Sequence, residues 1–143
     1  MGEVYRARDS RLGRTVAIKV LPERLSQEPD LRIRLENEAC TISKLSHPNI
    51  CTLHDIGHDG GIDFLVLEFV EGKTLRELLV SGTLPIRKVI AIAVQIAEGL
   101  AKAHDAGVTH RDLKPENLMV SSETVKILDF GLAKLGLGAE ESP

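Results

Sequence analysis

Apolar residues alternate at the start of the chain, then recur every three or four positions, then alternate again. In EVYRARD (3–9) Val4 and Arg6 fall on one side and Tyr5 and Ala7 on the other, the period of a strand. RLGR (11–14) is a turn centred on Gly13, and TVAIKVL (15–21), rich in β-branched residues, is the clearest strand of the first third. The two strands predict a hairpin. From Pro29 the period lengthens: Leu31, Leu35, Glu38, Ile42 and Leu45 predict a helix with one narrow apolar stripe. SHPNI (46–50) ends it, because Pro48 cannot continue a helix and biases His47 toward extended backbone. CTLHDIGHDGGIDFLVLEFV (51–70) then reads as strand, turn at Gly60 and Gly61, strand. This makes residues 1–70 a small α+β unit.

Residues 71–143 form a second unit. Gly72 breaks the pattern and a short helix runs to Val80. Pro85 suits the first turn of the longest helix, whose predicted core stripe is Val89, Ile92, Ala93, Ile96, Leu100 and Ala103, with Gly107 as its C-terminal cap. NLMV (117–120) and TVKIL (124–128) are short strands around the polar turn SSE, and GLAKLGLGAEESP (131–143) has no clear period.

Composition adds exclusions. With 43 % hydrophobic and 27 % charged residues the chain can bury a core, and with 3 % aromatics and no Trp that core is aliphatic. A net charge of −3 argues against non-specific binding to nucleic acid. Two cysteines, Cys40 and Cys51, are too few for a disulfide framework. No leader is visible, and no apolar run reaches the roughly 18 residues a membrane span needs. The expectation is a cytoplasmic chain with no membrane segment of its own. Zinc binding by Cys40, His47, Cys51, His54 and His58 is disfavoured, because their spacing is not that of paired ligand turns.

Three features carry chemistry. Lys19 shares a strand face with Ala17; taken by itself it reads as a solvent-facing lysine on an edge strand. Glu38 sits on the apolar stripe of its helix, where a carboxylate must reach either a cation or water. HRDLKPEN (110–117) follows a helix cap, and Pro115 is read as excluding helix, which makes the segment a polar loop. Strand, turn and strand then return the chain to DFG (129–131), which would gather Asp112, Lys114, Asn117 and Asp129. Two oxygen ligands beside a separate carboxylate base suit a magnesium–phosphate site.

VAIK, a helix glutamate, HRDLKPEN and DFG, in that order, resemble the eukaryotic-like (Hanks-type) serine/threonine protein kinases. The resemblance covers essentially the whole chain and looks bacterial in style. It implies an incomplete bilobal kinase fold: residues 1–70 as a small lobe lacking its first strand, and 71–143 as the start of a large lobe cut after DFG. The implied cofactors are ATP and Mg2+, and the implied reaction is transfer of the γ-phosphoryl group to Ser/Thr hydroxyls of protein substrates. By resemblance, Lys19 binds the α- and β-phosphates and pairs with Glu38; Asp112 is the catalytic base; Lys114 lies beside the transferred group; Asn117 and Asp129 hold Mg2+. Arg111 is matched to a partner of an activation-loop phosphate. Gly2 and Val4 match the end of the glycine loop. Val4, Ala17 and Met119 would sandwich adenine, the backbone of Glu68 and Val70 would bind its edge, and Leu67 takes the gatekeeper place. Ile42, Leu53, His110 and Phe130 match the apolar column joining the lobes. The first two loop glycines and the A-P-E motif have no counterpart in the sequence, so the expectation is a chain with little activity alone. The alternative is a non-catalytic kinase-like fragment that binds nucleotide or a partner; oligomeric state is not legible.

Overall fold

The computed structural model describes residues 3–130. Its first sheet contains β1 (Val4–Asp9), β2 (Arg14–Val20), β3 (Leu53–Asp59) and β4 (Ile62–Glu68). Their order is β1-β2-β4-β3, antiparallel throughout. Opposed residues share a sheet face, and the register sets Val4 against Lys19, Arg6 against Ala17, Ala17 against Leu67 and Lys19 against Leu65. One face therefore presents Val4, Arg6, Ala17 and Lys19 together. The edge-strand reading of Lys19 is corrected: β2 is paired on both sides, and the lysine side chain is only 19 % exposed.

Against this sheet lie α1 (Arg24–Gln27) and α2 (Pro29–Ser43). Pro29 fits the first turn of α2, where its missing N–H costs nothing, and Asp30 beside it complements the helix dipole. Leu35, Ala39 and Ile42 are the buried residues of α2, and Leu45, just past its end, is buried too. The one-turn α1 was not expected from the sequence; its Leu25 is fully buried. Burying a leucine contributes about 1.5–3 kcal/mol, enough to hold a turn too short to be stable alone.

The second half holds β5 (Lys73–Thr74), α3 (Leu75–Ser81), α4 (Ile86–Asp105), β6 (Leu118–Ser121) and β7 (Thr124–Ile127). The short strands form a sheet in the order β5-β6-β7. Thr74 caps α3 through a capping box with Glu77. The predicted stripe of α4 is half corrected. Ile92 and Ala103 are buried, but Val89 and Ala93 are exposed, and the third buried position is Gly99. A Cβ at Gly99 would come within 2.9 Å of Ile127 and 3.2 Å of the Asn49 carbonyl, so glycine lets α4 approach β7.

The two halves are stitched by the segment at Asn49–Cys51. Cys51 N–H donates to the Ile127 carbonyl at 2.9 Å, and Ile127 N–H to the Asn49 carbonyl at 2.8 Å. The buried Asn49 amide donates to the Val125 carbonyl and to Gln95 Oε1, both at 2.9 Å. One apolar cluster runs from Leu21 and Leu35 through Leu53 and Leu65 to Ile127 and Phe130.

Candidate active site

After α4 the chain reaches His110, which is 2 % exposed. Its Nε2 lies 2.6 Å from the Leu128 carbonyl, and its Nδ1 accepts from Asp112 N–H at 3.1 Å. A carbonyl only accepts, so these bonds assign the ring proton to Nε2. The ring also meets Phe130 edge-on, with centroids 4.8 Å apart. Asp112 is pinned from its other side as well, since Asn117 Nδ2 donates to the Asp112 carbonyl at 2.8 Å. Lys114 Nζ stands 3.5 Å from Asp112 Oδ2. Pro115 does not exclude helix, as the sequence had suggested; it opens one 3-10 turn, Pro115–Asn117, because proline is compatible with a first-turn position.

Asn117 carbonyl accepts from Leu128 N–H at 2.8 Å, which fixes the loop to the segment carrying Asp129. There Asp129 Oδ1 lies 3.1 Å from Lys19 Nζ, a partner the sequence reading did not assign to the lysine. The two side chains are 19 % and 27 % exposed, so water screens the pair only in part. Glu38 is half-buried on α2. Arg111 and Asp129 have φ of 71° and 62°, a left-handed conformation that costs a non-glycine residue about 1–3 kcal/mol. Strain of this kind concentrates at functional sites.

Facing the loop is the sheet surface built by Val4, Ala17 and Lys19. Val4 is 61 % exposed, while Ala17 and Met119 are half-buried. Beyond β4 the chain passes through Phe69 and Val70 toward the second half. Glu68 uses its carboxylate on Lys126, at 2.7 and 3.0 Å, and its N–H on the Thr52 carbonyl, at 2.8 Å. Its carbonyl lies 3.5 Å from the weak Cys51 thiol donor, so of the Glu68 backbone it is the carbonyl that has capacity for a ligand. The guanidinium of Arg6 lies 4.9 Å over the Phe69 ring, a contact that alternation alone could not suggest. Ile42, Leu53, His110 and Phe130 are all buried. Gly2 and Gly131 lie outside the described residues.

The donor set suits a hard cation. Asn117 spends its amide nitrogen on Asp112, which leaves Oδ1 to offer, and Asp129 adds a carboxylate. Mg2+ takes few protein oxygens and completes its shell with water and phosphate. Among the described residues no group of three or more His, Cys, Asp or Glu side chains could hold a metal ion.

Burial, then the charges of Glu68 and Asp129, push the Cys51 thiol up to about 12, whereas Cys40 is exposed. At neutral pH a thiol-disulfide reagent is therefore expected to modify Cys40 rapidly and Cys51 only after denaturation. Two fast-reacting thiols in the native chain would contradict this.

The protein kinase domain family model matches residues 1–141. The chain belongs to that family. Its curated relatives are named serine/threonine-protein kinases. A probable one from Clostridium perfringens is 40 % identical over 136 residues, covering 94 % of this chain and 20 % of that protein. PknL of Mycobacterium tuberculosis is 43 % identical over 133 residues, covering 92 % of this chain and 33 % of PknL. The crystal structure of the Mycobacterium tuberculosis PknI kinase domain superposes with a TM-score of 0.82 at 30 % identity, covering 92 % of this chain and 53 % of that one. Rad53 in complex with AMP-PNP superposes at 0.80 with 30 % identity, covering 92 % of this chain and 35 % of that one. The chain thus spans from a fifth to a third of these two curated relatives. Among its described residues, no helix is long and apolar enough to cross a membrane.

Proposed function

We propose that this chain supplies the nucleotide site and catalytic loop of an ATP-dependent serine/threonine protein kinase. Lys19, reaching from the interior strand β2, binds the α- and β-phosphates and pairs with Glu38. Val4, Ala17 and Met119 enclose adenine, and the Glu68 carbonyl with the Val70 backbone reads its edge. Gly2 covers the phosphates. Asp112 accepts the proton of the substrate hydroxyl, and Lys114 beside it stabilises the transferred group. Asn117 and Asp129 hold Mg2+, which when bound neutralises phosphate charge. Phosphoryl transfer needs alignment and charge stabilisation more than covalent help, and these residues offer both.

The observation that carries this reading is the bracing of the loop. His110 and Asn117 clamp the Asp112 backbone from either side, and both also bond Leu128, next to Asp129. The test is titration with a fluorescent ATP analogue in the presence of Mg2+. Saturable binding is expected, weakened by Lys19→Met by about tenfold or more, the worth of a charge-assisted bond. Absence of binding, or binding indifferent to Lys19→Met, would sink the proposal.

A further inference from the structure

Far from the catalytic loop, Asp63 is a carboxylate buried to 3 % exposure at the start of β4. It is surrounded by donors from three other elements. Ser26 Oγ of α1 lies 2.6 Å from Oδ2. His58 Nδ1 of β3 lies 2.8 Å from Oδ1. Arg32 of α2 reaches Oδ1 at 3.8 Å. The Asp63 carbonyl also receives Leu21 N–H at 2.9 Å, just before α1. Burial by itself would raise the carboxyl pKa, yet the bonds from Ser26 and His58 and the Arg32 charge outweigh it and hold the value below normal.

Such a group is costly to bury unless each bond is made, so it fixes the placement of what it bonds. Of its side-chain partners, Ser26 and Arg32 belong to the segment that ends in α2, the helix carrying Glu38. Ser26 adds a second tie to the same hairpin, its Oγ lying 3.1 Å from the Gly61 carbonyl. Arg32 is shared with Glu36 at 3.6 Å, so the shorter Ser26 bond is the firmer link.

We propose that Asp63 is a positioning residue for the nucleotide site: it tethers α1 and α2 to the β3–β4 hairpin and thereby sets where Glu38 stands relative to Lys19. This rests on the kinase reading of Lys19 and Glu38.

Two measurements on the chain test it. In the first, amide hydrogen exchange is compared for wild type, Asp63→Asn and the milder Ser26→Ala. Exchange across residues 24–43 should quicken by about tenfold in Asp63→Asn and less in Ser26→Ala, with 86–105 unchanged. In the second, affinity for a fluorescent ATP analogue with Mg2+ should fall about two- to tenfold in Asp63→Asn. On a Glu38→Gln background the same substitution should cost nothing further, because both act through one carboxylate. Unchanged exchange over 24–43 in both variants would overturn the tether. Additive losses with Glu38→Gln would overturn the positioning role and leave Asp63 merely structural. Faster exchange with an affinity that neither Glu38→Gln nor Lys19→Met alters would overturn the kinase reading, and the positioning role with it, while the tether stood.

Discussion

Replacing Asp112 by asparagine is expected to lower phosphoryl transfer to a Ser/Thr substrate by about 10²–10⁴-fold, the usual worth of a positioned general base. The assay is radiolabelled transfer in a protein carrying this sequence within a whole kinase domain. The structure gives a reason to expect a clean effect. What holds Asp112 in place is its backbone: the N–H on His110 Nδ1 at 3.1 Å and the carbonyl under Asn117 Nδ2 at 2.8 Å. Asparagine keeps both. The carboxylate itself is over a third exposed and meets Lys114 and Asn117 only at 3.5 Å, so little folding energy rides on it. Stability and nucleotide affinity should therefore hardly move while turnover collapses. A fall in melting temperature that parallels the loss of turnover would show that the role was structural. Transfer within a few-fold of wild type would remove Asp112 from catalysis altogether.

How much of this was legible in the sequence follows from the range of the interactions involved. Local patterns found β1 to β4, α2, α4 and the β6–β7 hairpin, because alternation and the three-to-four period report which face is covered. They missed α1, a single turn whose only strong signal is Leu25 meeting partners elsewhere. They missed β5, which is two residues long. They mistook Pro115 for a helix breaker when it opens a turn. On α4 the pattern marked six apolar positions but could not say that Gly99, with no side chain, would lie against Ile127 of β7. The motifs placed Asp112, Asn117 and Asp129 near one another in sequence terms, but the contact of Lys19 with Asp129 spans 110 positions and no local period encodes it. Asp63 did leave a trace. Alternation in IDFLVLE sets it on the same face as Leu65 and Leu67, a charge in an apolar row. A carboxylate there implies buried donors, although Ser26 and Arg32 could not be named without the fold.

The other large effect is expected at His110. Phenylalanine would fill the same space and keep the edge-on contact with Phe130, so the packing term is nearly conserved. What it cannot do is donate to the Leu128 carbonyl or accept from Asp112 N–H. Both backbone groups would lose their partner beside a side chain that is 2 % exposed, where water has little access. Each orphaned group costs about 1–3 kcal/mol, so His110→Phe should lose about 2–6 kcal/mol in denaturant unfolding, with the midpoint lowered and the slope unchanged. Glutamine, which carries both a donor and an acceptor, should restore part of that. The substitution also uncouples two strained residues that the ring braces: Arg111 and Asp129 hold positive φ within one position of its hydrogen-bonded neighbours or of His110 itself. Relaxation of either would swing Asp112 or Asp129 out of place, so transfer should fall even at temperatures where the variant remains folded. If the midpoint matches wild type, the two hydrogen bonds contribute nothing net, and the bracing of the loop must come from Asn117 alone.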